Sequence, residues 1–128
     1  MRFAACLNCI DGRVQLPVIH WIKDNYDVDY VDMITEPGMN GILADERYPI
    51  ENILKKIDVS VKKHGSGQVF VVGHHDCAGN SVDQGTHSKQ IVQAVERVKY
   101  LRPLVNIVGL WVTDKWQVEK LVERYNQV

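Results

Sequence analysis

The sequence has no excess of charge of either sign. Among its 128 residues, 15 are Lys or Arg and 16 are Asp or Glu, which gives a formal net charge of −1 at pH 7. This balance excludes the broad basic surface with which proteins bind nucleic acid. No uncharged stretch approaches the about 18 residues of a membrane span, and Asp11 brings charge too early for a secretory signal. We therefore expect a cytoplasmic protein with neither nucleic acid nor membrane as a partner.

Cysteine is also scarce. The sequence has three cysteines, Cys6, Cys9 and Cys77, and so small and odd a number argues against a disulfide framework. In a reducing compartment, cysteines close to polar residues indicate metal or redox chemistry. Internal repeats, low-complexity tracts and linkers are absent from the sequence. At roughly 150 residues per domain, we expect residues 1–128 to form one domain.

Short apolar runs alternate along the chain with stretches of helical spacing. The apolar runs predict four strands, at residues 3–7, 28–34, 69–72 and 105–112. The helical spacing predicts three helices, one starting near Leu16, one carrying Ile50 to Val61 and one carrying Ile91 to Val98. Residues 10–15, 36–44 and 73–85 are predicted to be loops. Residues 115–125 fit either a last amphipathic helix or a short edge strand followed by a helix.

This alternation predicts an α/β fold, a Rossmann-like parallel sheet with helices on both faces. We expect the strand order 2-1-3-4. In such sheets, ligands bind beyond the carboxyl ends of the strands, where the winding reverses. Polar clusters follow the first and third strands, which are neighbours in this order. A functional site is therefore expected at that edge of the sheet.

The two polar clusters contain residues that bind metals. They are Cys9-Ile10-Asp11-Gly12-Arg13 and Gly73-His74-His75-Asp76-Cys77. Two thiolates and one imidazole suit Zn²⁺, and three protein ligands leave a fourth position for water, as in catalytic zinc sites. From the spacing alone, either His74 or His75 could be the imidazole ligand.

Asp11 and Arg13 are suited to a supporting role beside such a metal. In an extended stretch, residues two apart point the same way, so Asp11 would share a side with Cys9. Arg13 could bind Asp11 through paired hydrogen bonds and keep it ionised. A zinc-bound water donating a hydrogen bond to Asp11 would be held as hydroxide, ready to attack a small electrophile.

Cys6 leaves two other sites open, because Cys6 and Cys9 form a Cys-x-x-Cys motif. One is a closed structural site of Cys6, Cys9, His74 and Cys77, and the other is a thioredoxin-like redox pair. Residues three apart on a strand face opposite sides of the sheet, so the two thiols would diverge. We predict that Cys6 is a buried core residue.

Cys-x-Asp-x-Arg after one strand and Gly-His-x-x-Cys after a later strand resemble the β-class carbonic anhydrases, over roughly residues 1–113. The resemblance implies one zinc ion per chain bound by Cys9, His74 and Cys77, with Asp11 and Arg13 as the catalytic pair. It implies hydration of carbon dioxide to bicarbonate by zinc-bound hydroxide, in a homodimer or larger assembly. Relatives on this scaffold hydrolyse carbon disulfide or carbonyl sulfide. The alternative from another class is a non-catalytic, zinc-stabilised binding protein.

The sequence departs from the family pattern around the expected substrate pocket. Gly12 replaces the serine of Cys-x-Asp-Ser-Arg, and Ala78 replaces the glycine that usually follows the second cysteine. Residues 36–41 differ from the usual Arg-Asn-Ala-Gly-Asn loop. No residue takes by position the role of the glutamine that the family's N-terminal helical arm contributes to the pocket. We expect the metal ligands and the Asp–Arg pair to be kept and the substrate pocket to differ.

Overall fold

The computed structural model describes residues 1–126. Within them lie five strands, β1 (Phe3–Asn8), β2 (Tyr30–Thr35), β3 (Gln68–His74), β4 (Asn106–Val112) and β5 (Val118–Arg124). The helices are α1 (Gln15–Asn25), α2 (Met39–Ala44), α3 (Glu51–His64) and α4 (Gln84–Leu101), and a 3-10 turn at Gly12–Val14 precedes α1. None of the helices within residues 1–126 is long and apolar enough to cross a membrane.

The strands form one sheet in the order β2-β1-β3-β4-β5. β1 to β4 are parallel, and β5 pairs with β4 in the antiparallel sense. The α/β fold and the predicted order 2-1-3-4 are therefore confirmed, with β5 added at the edge. Because β1 and β3 are neighbours and run the same way, the segments that follow them emerge side by side.

Helices cover both faces of the sheet, as predicted. α1 lies on one face, where Val18 and Ile22 pack with Phe70 of β3. α2, α3 and α4 lie on the other face, where Ile57 and Val95 pack with Val71. With both faces covered, β3 is buried along almost its whole length, which explains its unbroken apolar run.

The prediction that residues 36–44 form a loop is wrong, because they include α2. This helix begins after Gly38, whose φ of 65° suits glycine, and it buries Met39 and Leu43. Pro, Gly and Asn in this segment favour a loop, and Gly41 lowers helix propensity further. Tertiary packing compensates for this low helix propensity. Gly41 lets α2 lie close to the Asn80 side chain, which would be only 2.8 Å from a Cβ at this position.

The prediction of a helix within residues 115–125 is also wrong, whereas the predicted edge strand is present and extends to Arg124. In the pairing of β5 with β4, Gly109 lies opposite Val122 and Leu110 lies opposite Lys120, so Leu121 is the bulged residue. The bulge places Val118 against the α1-side core and Val122 against the α4-side core. No single sequence period describes a strand whose side chains change faces midway.

Candidate metal centre

Three side chains that could hold a metal ion meet beyond the carboxyl ends of β1 and β3. One potential ligand atom from each of Cys9, His74 and Cys77 lies within 4.8 Å of the other two, and all three residues are buried. Cys9 directly follows β1, His74 is the last residue of β3, and Cys77 lies in the loop after it. The structure thus brings together the three residues that the sequence analysis grouped.

The spacing of the two sulfur atoms fits a shared metal ion. The Sγ atoms of Cys9 and Cys77 lie 3.8 Å apart. Two thiolates bound at about 2.3 Å to a tetrahedral zinc ion would lie about 3.8 Å from each other. The distance between the thiols therefore suits that coordination without any movement of the backbone.

The His74 ring supplies a third donor atom. Its Nδ1 lies 2.7 Å from the carbonyl oxygen of His75, which can only accept, so Nδ1 carries the proton. Nε2 then presents a lone pair, and it is buried without a hydrogen-bond partner among the described residues. A buried polar atom without a partner is costly, and a metal ligand of this kind usually has its other ring nitrogen bonded to a carbonyl. Of the two adjacent histidines, the structure therefore groups His74 with the thiols.

The electrostatics of the thiols favour a cation. Burial raises the pKa of Cys77, the neighbouring Cys9 raises it further, and the N–H groups of Gly79 and Asn80 act in the opposite direction. The backbone N–H of Gly38 points at the Cys9 sulfur over 3.5 Å. Two adjacent buried thiols resist ionisation unless a positive charge lies between them. A divalent metal ion is the cation that this donor set prefers.

Asp11 and Arg13 form a close ion pair next to the three donors. Arg13 Nη2 lies 2.7 Å from Asp11 Oδ2, Arg13 Nε lies 3.1 Å from Oδ1, and the Arg13 backbone N–H also donates to Oδ1 over 2.9 Å. These hydrogen bonds from Arg13 lower the pKa of Asp11 to about 2. At neutral pH the Asp11 side chain is therefore ionised and can only accept hydrogen bonds.

Arg13 also joins the two loops of the site. Its Nη1 lies 3.2 Å from Asp76 Oδ2, and its Nη2 donates to the Asp76 carbonyl oxygen over 3.1 Å. The Trp116 ring lies over the guanidinium, with its centre 4.6 Å from Cζ. No sequence pattern connects Trp116 with the site, because the residue is remote in sequence and the pattern of residues 115–125 fits more than one structure.

Cys6 lies apart from the metal-binding group. It is fully buried in the α1-side core, burial raises its pKa, and it is not among the three grouped residues. The prediction that Cys6 is a core residue is confirmed. The expectation that the two thiols face opposite sides of the sheet is wrong, because Cys9 lies beyond the end of β1 and packs in the same core cluster as Cys6.

The segment that departs from the family pattern packs directly on the loop of Cys77. A Cβ added to Gly79 would lie 2.7 Å from the backbone of Pro37, and a Cβ on Gly38 would lie 2.6 Å from the Gly79 carbonyl oxygen. Next to this contact, the buried Asn40 side chain lies 3.0 Å from Nδ1 of His87. The loops after β2 and β3 therefore hold each other in place at the site.

Comparison with known proteins identifies the family. A family model described as "Putative carbonic anhydrase" matches residues 1–122. In fold, the chain is similar to β-carbonic anhydrase isoform I from Trichomonas vaginalis (16% identity, TM-score 0.66, 95% of this chain and 83% of that one). It is also similar to the carbonic anhydrase from Streptococcus mutans (13% identity, TM-score 0.65, 93% and 81%). No curated protein gives a significant match. The chain belongs to the carbonic anhydrase family that this model describes, and it has the β-carbonic anhydrase fold.

Proposed function

We propose that this protein is a zinc-dependent carbonic anhydrase that hydrates carbon dioxide to bicarbonate. In this proposal Cys9, His74 and Cys77 bind one zinc ion per chain. The supporting observation is the buried group of three donor atoms, within 4.8 Å of one another, beside an ionised carboxylate. A zinc ion bound there would supply the Lewis acidity that makes water a nucleophile at neutral pH.

Asp11 is proposed to orient the reacting water. Its side chain is 18% exposed, so solvent reaches it. The carboxylate has about four lone-pair sites, and Arg13 approaches it with three N–H groups, the backbone N–H, Nη2–H and an Nε–H shared between the two oxygens, so one site remains for a hydrogen bond from water. A water that donates one hydrogen to Asp11 has a lone pair free to face carbon dioxide. Arg13 is proposed to keep Asp11 ionised and to fix the direction of its carboxylate.

The test of this function is the substitution Asp11→Asn, which removes the charge and keeps the shape. Stopped-flow hydration by the zinc-loaded variant should fall by about 100-fold or more, in the range of a lost acid–base group. The zinc content should stay near one per chain, because Asp11 is not a proposed ligand. Asp24→Asn is the matched control on the exposed side of α1, and it should leave both readouts unchanged.

Other outcomes would replace the proposal. Wild-type protein that binds one zinc ion per chain and hydrates no carbon dioxide above the buffer rate would contradict it. Turnover of carbonyl sulfide or carbon disulfide by that same protein would then identify a hydrolase of a related small molecule. Inactivity on all three substrates would favour a zinc-stabilised binding protein.

We also propose a homodimer or larger assembly in the cytoplasm. Ile10 and Leu16 flank the Asp11–Arg13 pair and are 58% and 63% exposed, and such apolar side chains favour cover by a partner. Tetrameric β-carbonic anhydrases from Sordaria macrospora have a similar fold (13% identity, TM-score 0.54, 94% of this chain and 81% of that one). A cytoplasmic location would keep the three free thiols reduced. Sedimentation that shows only a 14.6 kDa species would overturn the assembly.

A further inference from the structure

Two strained residues contact the same arginine. Among residues 1–126, Asp76 and Trp116 are the residues other than glycine with positive φ, at 58° and 59°. For a bulky residue such as Trp this conformation is a genuine outlier, since glycine is the residue that adopts it freely. Both residues contact the Arg13 guanidinium. Backbone strain of this kind persists where the surrounding structure enforces it, and it concentrates at functional sites.

The turn between β4 and β5 holds Trp116 in this strained position. The Trp116 N–H donates to the Thr113 carbonyl oxygen over 2.9 Å, and the Thr113 N–H donates to the Gln117 carbonyl oxygen over 2.9 Å. Thr113 Oγ1 accepts from the N–H groups of Lys115 and Gln117, each over 3.2 Å. These hydrogen bonds hold the backbone of the turn in place, and with it the position from which the Trp116 side chain starts.

Arg13 makes hydrogen bonds through its N–H groups and a separate contact with the Trp116 ring. Nε and Nη2 bind Asp11, and two further N–H groups, one on Nη1 and one on Nη2, bind the side chain and the carbonyl oxygen of Asp76. Cζ lies over the indole ring, 4.6 Å from its centre, and a cation held over an aromatic face is attracted to it. The Asp76 side chain is 70% exposed, so its ion pair alone restrains Arg13 weakly. The ring is therefore a further restraint on the guanidinium, beside its hydrogen bonds to Asp11 and Asp76.

We propose that Trp116 is a positioning residue for Asp11. Its indole face, together with Asp76, holds the Arg13 guanidinium in the orientation that bonds both Asp11 carboxylate oxygens. This inference rests on the proposed function, in which Asp11 keeps a fixed direction beside the metal ligands. Without the ring, Arg13 turns toward solvent part of the time, and Asp11 loses its fixed direction during that time.

The test measures the Arg13–Asp11 hydrogen bond directly. In metal-free, ¹⁵N-labelled protein, the Arg13 Nε–H resonance is identified by its loss in Arg13→Lys, and its hydrogen-exchange rate is measured by NMR. Trp116→Leu keeps apolar packing without the ring, and Trp116→Gly relieves the positive φ without the ring. Exchange should accelerate by about 2- to 30-fold in both variants, the factor expected for one lost cation–π contact.

Two further variants separate positioning from a general structural role. Trp116→Phe restores an aromatic face and should recover most of the protection. Trp21→Leu removes another partly buried tryptophan, which lies on α1 and packs beside Tyr26, and it should leave Arg13 exchange unchanged. In the zinc-loaded proteins, kcat for hydration should fall with the loss of protection while KM stays constant. Trp116→Leu keeps the packing and the backbone strain, whereas Trp116→Gly loses the packing and relieves the strain. Because the two variants differ in both respects, we expect at least one of them to fold.

The results also distinguish this inference from the proposed function. Unchanged Arg13 exchange in both ring-removing variants would overturn the positioning role, even if the wild-type protein hydrates carbon dioxide. Equal acceleration in Trp116→Phe and Trp116→Leu would overturn it as well, because the aromatic face would then be irrelevant. Accelerated exchange in a protein whose wild type shows no hydration would leave the positioning role standing and remove the proposed function.

Discussion

His74 donates its Nδ1–H to the carbonyl oxygen of His75 over 2.7 Å, so two adjacent histidines have different parts in the site. The His74 ring joins the two thiols, whereas the His75 ring lies 6.5 Å from the Trp116 ring and outside the metal-binding group. His75 thus contributes its backbone to the site and His74 contributes its side chain. This division resolves which of the two is the candidate ligand, a choice that the spacing in the sequence left open.

The first prediction separates these two histidines. His74→Ala should weaken zinc binding by more than about 100-fold. Losing a residue that only hydrogen-bonds to a ligand costs at most about that factor, so a larger loss is expected for a ligand itself. His75→Ala should retain near one zinc per chain, because the carbonyl oxygen that orients His74 survives. Mass spectrometry of untagged protein after dialysis measures the metal content. Equal loss in both variants would contradict the assignment.

The second prediction concerns protons released on metal binding. Burial and the neighbouring thiol raise the pKa of Cys77, so this thiol is protonated in the metal-free protein at neutral pH. A thiol must lose its proton to bind zinc, so binding should release protons, and the apparent affinity should rise with pH. Calorimetric titration at pH 7 in buffers of different ionisation enthalpy measures the number released. Zinc binding without proton release would be inconsistent with thiolate ligands.

The third prediction tests the contact between the loops that follow β2 and β3. A Cβ on Gly79 would lie 2.7 Å from the Pro37 carbonyl carbon and 2.8 Å from the Gly38 nitrogen, so backbone must shift to accept it. Gly79→Ala should lower the free energy of unfolding by about 1–3 kcal/mol, the usual cost of overpacking. It should also weaken zinc binding, because Gly79 lies two residues after Cys77.

Gly12→Ala is the control for that substitution. A Cβ on Gly12 has no atom within 4 Å, and the residue has no positive φ, so alanine fits there without strain. Urea denaturation of both variants gives the free energies of unfolding. A Gly79→Ala protein as stable as Gly12→Ala would show that the two loops are not tightly packed against each other.

Sequence patterns predicted the elements whose spacing of apolar residues matches the faces that are buried in the structure. β1, β3 and β4 are apolar runs buried on both faces, and α1, α3 and α4 have a helical apolar face. α2 was missed, and β5 was predicted only as a short edge strand before a helix, as one of two alternatives, because both elements depend on tertiary contacts. α2 contains Gly41 and is held by Asn80, and β5 changes faces at the Leu121 bulge.

The grouping of the site residues was also predictable, within limits. Parallel strands that are neighbours bring their carboxyl ends together, so Cys9, His74 and Cys77 could be placed at one edge of the sheet. Arg13's contacts with Asp76 and Trp116 could not be predicted, because both partners owe their position to positive φ in loops rather than to any periodic pattern. The spacing also left open which histidine faces the thiols, and in the structure it is His74, the last residue of β3.

The fourth prediction concerns acid stability away from the site. Arg102 binds the Asp58 carboxylate through Nε–Oδ1 at 2.6 Å and Nη2–Oδ2 at 2.9 Å, which joins α3 to the end of α4. These hydrogen bonds hold the pKa of Asp58 below its usual range. A lowered carboxyl pKa adds stability above the unfolded pKa of about 3.9, and this stability is lost as pH falls through the folded value.

Asp58→Asn should therefore lower the free energy of unfolding by about 1 kcal/mol at pH 7, the upper end for a partly exposed ion pair. The difference from wild type should begin to shrink below about pH 4, where the unfolded chain takes up a proton on Asp58, and it should vanish once the pH is below the lowered pKa of the folded protein. Asp27→Asn is the matched control, since Asp27 and its partner Arg2 are 86% and 72% exposed and their ion pair should contribute nothing measurable. Urea denaturation at pH 7 and pH 3 checks both variants. A deficit in Asp58→Asn that is as large at pH 3 as at pH 7 would mean that lost packing, rather than the carboxylate charge, causes it.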